Sequence, residues 1–251
     1  MGELSLDDIS VRFGGIQALT EVSFTLKPGE VMGLIGPNGA GKTTVFNVIT
    51  GVYTASEGDV RYNNQSILGQ KPFQIIKSGI ARTFQNIRLF GNMTALENVM
   101  IAQHCRTKVG VIGAVLRTRE QKAEEIRIRD RAMEALEFMD LGDLATELAS
   151  NLPYGHQRRL EIARALASDP KTLLLDEPAA GLNPAESNVL TEDIRRISET
   201  GINVLMVEHD MKVVMGICQK LVVLDHGVVI AAGKPEEIQK DPNVIEAYLG
   251  H

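Results

Sequence analysis

The segment formed by residues 36–44 restricts what this chain can fold into more than any other part of the sequence. It reads Gly-Pro-Asn-Gly-Ala-Gly-Lys-Thr-Thr, so that two glycines five positions apart are followed by Lys42 and Thr43. An apolar run, residues 31–35, precedes the segment, and an amphipathic stretch, residues 45–51, follows it. This order predicts a strand, a glycine-rich loop and a helix, which is the arrangement of a phosphate-binding loop.

The residue types in this loop suit a bound triphosphate. Glycines let successive backbone N–H groups turn toward one anion, and the following helix adds its positive N-terminal end. The Lys42 ammonium would reach the β and γ phosphates, and the Thr43 hydroxyl is a hard oxygen ligand for Mg²⁺. We therefore expect these loop residues to bind a nucleotide: Asn38, Gly39, Ala40, Gly41, Lys42, Thr43 and Thr44.

Length, charge and cysteine content narrow the class of protein. The 251 residues suffice for one large domain, and the net charge of −6 gives no overall basic field for nucleic acid. Cys105 and Cys218 fit no metal or redox spacing, which suits a reducing compartment. The N-terminus lacks a leader pattern, and apolar runs such as residues 109–116 are shorter than the roughly 20 residues of a membrane span. We expect a soluble protein that reaches any membrane through a partner.

Near the start of the chain, alternating strands flank the glycine pair Gly14-Gly15. Residues 4–13 and 22–26 alternate between apolar and polar positions, which predicts an antiparallel β flap beside the phosphate loop. Phe13 stands just before the glycine pair. Its position alone fits two roles, a core residue of the flap or a ring that stacks on adenine.

Short, continuous apolar runs predict strands that are buried on both faces of a parallel sheet. These runs are residues 172–175, 203–207 and 221–224; residues 79–85 read as a further strand that ends at Gln85, and residues 228–233 as a closing strand. Residues 86–152 are different in character, with polar helical patterns and a charged stretch at 117–131. Apolar residues at helical spacing in this region are Ala123, Ile126, Met133, Leu136 and Met139. The alternation of strands and helices predicts an α/β core with an inserted helical region.

Two adjacent carboxylates, Asp176 and Glu177, end one buried strand, at the edge where parallel sheets bind their ligands. Consecutive strand residues point in opposite directions, so the two acids should have different roles. Asp176 is suited to hold Mg²⁺ through water, which leaves Glu177 to orient or deprotonate an attacking water. His209 follows the next strand and could reach the γ-phosphate.

The order and spacing of these motifs resemble those of ABC transporter ATPase subunits over essentially the whole chain. The resemblance is carried by the phosphate loop, Gln85, the segment 154–166 (Tyr-Gly-His-Gln-Arg-Arg-Leu-Glu-Ile-Ala-Arg-Ala-Leu), the Asp176-Glu177 pair, the segment 180–183 (Ala-Gly-Leu-Asn) and His209. It implies an α/β P-loop NTPase (RecA-like) core with a parallel sheet, an antiparallel β flap and a helical subdomain. Within one domain, 1–251, the expected core is 1–85 with 166–251, and the expected helical subdomain is 86–165.

The resemblance also implies roles for single residues. Such subunits hydrolyse ATP with Mg²⁺, and Lys42, Gln85, Glu177 and His209 would form the catalytic group. Phe13 would match the adenine-stacking aromatic residue. The metal ligands would be Thr43, Gln85 and Asp176. Two subunits pair head to tail, so that Tyr154, Gly155 and Gln157 would contact the ATP held by the partner's phosphate loop.

The segment that would contact the ATP of the partner subunit departs from the family pattern. Leu-Pro-Tyr-Gly-His at 152–156 stands where relatives have Leu-Ser-Gly-Gly-Gln, so Pro153 supplies neither the serine hydroxyl nor an N–H donor. Gly155 and the helix N-terminus can still present amides to phosphate. A weaker composite site within a heterodimer is therefore expected. Asn183 also replaces the aspartate of many relatives.

Residues 81–90, 93–99 and 177–184 resemble the ATP-binding subunits of branched-chain amino-acid importers. The alternatives are ATPases of urea uptake or lipopolysaccharide export, or a nucleotide-gated interaction module that is not tied to transport. The resemblance implies a second ATPase subunit in a homo- or heterodimer, two membrane permeases and an external binding protein, without nucleic acid. The expected location is the inner face of the cell membrane. No residue here would touch the solute.

Overall fold

The computed structural model describes residues 2–103 and 119–249, with the side chains of 119–122 and 249 left aside. Cys105, the apolar run 109–116 and the start of the charged stretch at 117–131 lie outside the described residues. The chain forms two compact units, each treated by itself below. The core unit comprises the chain up to Gln85 and from Lys171 onward, and the helical unit is Asn86–Pro170.

The strands and helices of the described residues follow one another as the alternating pattern predicts. The strands are β1 Leu4–Phe13, β2 Ile16–Leu26, β3 Val31–Ile35, β4 Glu57–Tyr62, β5 Gln65–Ser66, β6 Ile80–Arg82, β7 Thr172–Asp176, β8 Asn203–Val207, β9 Lys220–Asp225 and β10 Val228–Gly233. The helices are α1 Lys42–Ile49, α2 Pro72–Ser78, α3 Ala95–Gln103, α4 Arg119–Phe138, α5 Tyr154–Leu166, α6 Pro184–Glu199, α7 Met211–Ile217, α8 Pro235–Ile238 and α9 Pro242–Leu249. Short 3₁₀ helices occupy Gly142–Leu144 and Ala149–Asn151.

The main sheet of the core unit has the strand order β10-β9-β3-β8-β7-β6. The strands from β9 to β6 pair in parallel, and β10 closes the sheet as an antiparallel edge strand. All residues of β3, β7 and β8 are buried, as their continuous apolar sequences predict. The register places Asp176 and Leu34 beside Val207. The loops that follow β3, β7 and β8 therefore leave the sheet at one shared edge.

The second sheet of the core unit is the expected antiparallel flap, in the order β2-β1-β4-β5. Its hairpin turns at Gly14-Gly15, where Phe13 pairs with Ile16. Apolar side chains on its inner face, such as Leu4 and Leu6, share one hydrophobic core with Met32 and Leu34 of the main sheet. The flap is thus fixed against the strand that leads into the phosphate loop.

Two predicted strands have different bounds in the structure. β2 begins at Ile16 rather than at Val22, because the tight glycine turn lets pairing with β1 start at once. The strand predicted over 79–85 is only Ile80–Arg82, although the Thr83 amide still donates to Leu174 O. Gln85 therefore lies in the loop beyond the strand, where a side chain has more freedom to approach a ligand.

The helical unit contains α3, α4 and α5. Burial on α4 is confined to its later turns, where Ala132, Ala135 and Leu136 are buried, and it continues at Met139 just after the helix. Ala123 and Ile126, two of the apolar residues at helical spacing, lie in this helix as predicted but are exposed. Within the described ranges, no helix combines the length and the apolarity that crossing a bilayer requires.

Candidate functional site

The phosphate loop takes a backbone path that its glycines make possible. Gly36, Gly39 and Gly41 have φ values of 147°, 82° and 103°, in a region that other residues rarely adopt. At Gly36 a Cβ atom would also lie 2.0 Å from the carbonyl oxygen of Leu224. The tight approach to β9 thus excludes any side chain at this position.

Lys42 begins α1 and folds back over the loop. Its Nζ donates to Gly36 O at 2.6 Å and to Pro37 O at 2.8 Å. Burial lowers the pKa of Lys42, and the nearby Glu177 and Asp176 carboxylates oppose that shift. The ammonium is therefore held near Asp176 and Glu177 at the sheet edge. A bound phosphate would add negative charge there and so stabilise the protonated form of Lys42, which burial disfavours.

The remaining loop residues differ in how far solvent reaches them. Asn38, Gly39 and Thr43 are exposed, Gly41 and Thr44 are half-buried, and Ala40 is buried. An exposed Thr43 hydroxyl at the first turn of α1 remains accessible to a metal ion or a phosphate. The buried Ala40 supports the loop from beneath, where its carbonyl accepts from the Gly227 amide.

Asp176 and Glu177 have different partners at the end of β7, although Glu177 lies beyond the strand, so the strand alternation behind the prediction does not extend to it. Asp176 is the buried last residue of the strand, and its Oδ2 accepts a 2.7 Å bond from Arg82 Nη2. Glu177 has a φ of 47°, an uncommon value for a non-glycine residue, and its amide donates to Val207 O. This backbone turn carries the Glu177 side chain out of the strand direction and toward the loops after β6 and β8.

Gln85, Glu177 and His209 meet at the sheet edge. Gln85 Nε2 donates to Glu177 Oε2 at 2.9 Å, and His209 Nε2 lies 2.9 Å from Glu177 Oε1. The Glu177 side chain is 19% exposed, whereas that of His209 is 42% exposed. The structure therefore joins three residues that are far apart in the sequence, and both oxygens of the central carboxylate are engaged.

Phe13 lies at the end of β1 with 44% of its surface exposed, so it is not a core residue. Its ring packs edge to face against Tyr53, with centroids 5.0 Å apart and an interplanar angle of 71°. Sequence reasoning missed Tyr53, which follows α1 in a loop without a distinctive pattern. The two rings present an aromatic surface on which a base could stack.

Sequence reasoning also missed Arg82 and Glu208. The Glu208 carboxylate is buried and accepts from the amides of Ala179 at 2.6 Å and His209 at 3.0 Å. Burial raises the pKa of Glu208, and these amides oppose the shift. The available signal was a charged residue at the end of a short apolar strand: Arg82 is the last residue of β6, and Glu208 directly follows β8. Through these two hydrogen bonds, Glu208 connects the backbone at His209 to the backbone at Ala179, in the segment after Glu177.

Tyr154, Gly155 and Gln157 belong to the helical unit, at the start of α5. Pro153 occupies the N-cap position, Gly155 is buried, and Tyr154 is 45% exposed. Gln157 Nε2 donates to Leu152 O at 2.8 Å, so this side chain closes the first turn of its own helix. Of the three residues expected to contact the partner's ATP, Tyr154 is therefore the most exposed.

Comparison with known proteins shows the family to which the chain belongs. Residues 19–180 match the ABC transporter family, and residues 228–251 match the family described as branched-chain amino acid ATP-binding cassette transporter. The chain is 46% identical to the high-affinity branched-chain amino acid transport ATP-binding protein LivG of Escherichia coli K12, over 98% of this chain and 97% of that protein. It is 43% identical to BraF of Pseudomonas aeruginosa, a protein of the same description, with the same coverage.

Solved structures give the same result. A nucleotide-free ATP-binding cassette from an ABC transporter has a TM-score of 0.87 and 32% identity over all of both chains. A dimeric bacterial ABC transporter cassette has a TM-score of 0.76 and 27% identity, over 92% of this chain and 98% of that one. The predicted fold class, an α/β P-loop NTPase, is thus confirmed. The chain belongs to the family of ABC transporter ATP-binding subunits, in the branch of the branched-chain amino acid transport ATP-binding proteins.

Proposed function

We propose that this ATP-binding subunit hydrolyses ATP to drive an importer of branched-chain amino acids. The observation that carries the proposal is the contact of Gln85 and His209 with the two oxygens of Glu177. These side chains come from loops that leave the sheet beside the phosphate loop, where the γ-phosphate would lie. Similarity to LivG and BraF supports the choice of solute.

The contacts suggest how hydrolysis is gated. Each carboxylate oxygen has two acceptor sites, so the contacts with His209 and Gln85 orient Glu177 and occupy part of its acceptor capacity. The γ-phosphate of ATP offers His209 Nε2 another oxygen to bond. Release of Glu177 Oε1 then gives the attacking water a second acceptor site on that oxygen, and Lys42 turns from its two carbonyls to the β and γ phosphates.

We infer that Thr43, Asp176 and Gln85 hold a Mg²⁺ ion with the nucleotide. Among the described residues there is no group of three or more His, Cys, Asp or Glu side chains that could hold a metal ion. Mg²⁺ usually takes one or two protein oxygen ligands and completes its shell with waters and phosphate oxygens, and the Thr43 hydroxyl and the Asp176 carboxylate are oxygen donors of that kind. When bound, the ion would neutralise the charge that develops on the phosphates.

The partners follow from the family. We propose that a second ATPase subunit, identical or related, pairs with this chain and that Tyr154 and Gly155 approach the partner's ATP. The TM-score of 0.76 to a dimeric cassette supports this pairing. The pair would dock on membrane permeases at the cytoplasmic face of the membrane, with the solute delivered from outside by a binding protein. Because Pro153 brings no hydroxyl, we expect its composite site to be the weaker of two.

The test of hydrolysis is Glu177→Gln. The amide keeps the side-chain shape but cannot accept the proton, so we expect ATP turnover to fall by about 100-fold or more. ATP affinity, measured by calorimetry, should stay within about twofold, since a general base acts in the transition state. Glu192→Gln on the exposed face of α6 is the matched control and should leave both values unchanged. Unaltered turnover in Glu177→Gln would remove Glu177 from the catalytic role.

The test of the solute uses the complete transporter, purified with its permease subunits and reconstituted in vesicles. We expect ATP-dependent uptake of leucine that stops in the Glu177→Gln variant. Uptake of urea, or extraction of a lipid, would instead assign the subunit to a urea importer or to a lipopolysaccharide exporter. Purification in a membrane-free complex would contradict the transport function altogether.

A further inference from the structure

Arg82 brings a buried positive charge to the site. It is the last residue of β6 and stands three positions before Gln85. Its side chain is only 8% exposed and that of Asp176 only 7%, and the two form an ion pair with an Nη2 to Oδ2 distance of 2.7 Å. A short bond between two desolvated charges has a strongly preferred geometry. The rotamer of Asp176 is therefore set by a residue from the neighbouring strand.

Other contacts fix the guanidinium itself. Arg82 Nη1 donates to Asn47 Oδ1 on α1 at 2.8 Å. The guanidinium carbon lies 5.3 Å from the ring centroid of Phe46 and 5.1 Å from that of Phe84, which are cation–π distances. Arg82 thus links the helix after the phosphate loop, the segment that leads to Gln85, and the end of β7. These are the elements that carry Thr43, Gln85 and Asp176.

Stability alone is a poor explanation for Arg82. Its Nε atom is buried and finds no hydrogen-bond partner within the described part of the chain, and leaving such a donor unsatisfied costs stability. A buried ion pair is often no better for stability than apolar residues of similar volume. Apolar residues in place of this pair could fill the same volume, but they could not orient a carboxylate toward a ligand.

We propose that Arg82 is a positioning residue that fixes Oδ2 of Asp176 and so leaves Oδ1 oriented for the ligand shell of Mg²⁺. This inference rests on the proposed role of Asp176 toward that ion. Residues that orient a metal ligand typically account for about 10- to 100-fold of metal affinity. Arg82 therefore contributes to the magnesium dependence of nucleotide binding, without contacting the nucleotide.

The experiment measures ATP affinity in the full chain with Mg²⁺ and with EDTA, and the Mg²⁺ concentration that gives half of the affinity gain. For Arg82→Gln we expect this concentration to rise by about 10- to 100-fold, while affinity in EDTA changes by less than about twofold. Arg61→Gln removes an equal charge from the exposed ion pairs with Asp7 and Asp59, and should match the wild type.

Arg82→Lys keeps the charge but replaces the planar fork that bonds Asp176 and Asn47 with a single ammonium, which cannot stack on a ring as a plane. We expect it to fold and to need an intermediate Mg²⁺ concentration, so it carries the test if Arg82→Gln unfolds. An unchanged Mg²⁺ requirement in the folded variants, or an equal loss of affinity in EDTA, would overturn the inference. If the wild type itself gained no affinity from Mg²⁺, the proposed function of the site would fail instead.

Discussion

Two buried arginine–carboxylate pairs, one in each unit, look alike and yet differ in their consequences. Arg82 and Asp176 meet at 2.7 Å in the core unit, and Arg158 and Glu161 meet at 3.0 Å in the helical unit. All four side chains are almost fully buried. The first pair joins residues 94 positions apart at the edge of a sheet, whereas the second joins neighbouring turns of one helix.

The acids differ in what else they bind. Glu161 accepts the Arg88 amide at 3.3 Å on Oε1 and lies 3.8 Å from Arg164, so both of its oxygens serve the packing of the helical unit. Asp176 is bonded through Oδ2 to Arg82. Burial of a charge therefore does not identify a functional residue. What distinguishes the two acids is their position: Glu161 lies within a helix of the helical unit, whereas Asp176 ends β7 at the edge where parallel sheets bind their ligands.

The largest effect should come from Glu161→Ala. Removal of this acid leaves the Arg158 charge buried without its carboxylate partner, and breaking a buried pair costs about 3–5 kcal/mol. Urea denaturation would measure the loss in unfolding free energy. Glu192→Ala is the control, because its ion pair with Arg195 is exposed and worth about 1 kcal/mol at most. Equal losses of unfolding free energy in the two variants would contradict the structural role of Glu161.

Lys42→Met should lower the affinity for ATP more than it lowers the stability of the fold. Loss of a charged donor to the phosphates should raise the ATP dissociation constant by about 10- to 100-fold in calorimetry. Lys27→Met, at an exposed position, is the control. If Lys42→Met left ATP affinity intact, the phosphate loop would lose its proposed cation.

The same variant gives a pH test in the nucleotide-free protein. Burial lowers the pKa of Lys42 below its ordinary 10.5 in the folded state, so the unfolded chain binds more protons in the interval between the two values. The wild type should therefore gain stability from this residue as the pH rises toward 10.5, and Lys42→Met should lack that gain. Melting temperatures of the two proteins across this interval would measure the difference. A parallel pH dependence would contradict the burial of the charge.

The smallest effect should come from Asn183→Ala, which tests a polar residue between β7 and α6 whose hydrogen bonds are local. Asn183 caps α6 by accepting from the amides of Ala185 and Glu186, and Glu186 bonds back to the Asn183 amide. Loss of the cap should cost about 1 kcal/mol, without a change in ATP affinity of the isolated chain. Asn183→Asp, which keeps an accepting oxygen, should retain the stability. A larger change in affinity than in stability would place Asn183 in the site.

Sequence signals predicted the helices and strands well where capping residues, prolines or bounded apolar runs mark their ends. The helix Pro184–Glu199 has a proline in its first turn and a capping box, and the strand Asn203–Val207 is a bounded apolar run. The contact of Gln85 with Glu177 was not predicted, nor was the pairing of Phe13 with Tyr53. Such contacts depend on strand register and loop paths, for which the sequence carries no local signal.

The sequence by itself determined that the chain has a phosphate-binding loop, a parallel sheet and acids at its edge, because glycine spacing and hydrophobic periodicity act over a few residues. Only the tertiary structure decided which partner each charge has. It gave Asp176 the buried Arg82, engaged both oxygens of Glu177, and bonded Gln157 back to its own helix. The physical reason is that a buried polar group must find a bond wherever the packed backbone offers one, and that choice exists only after the strands have come together.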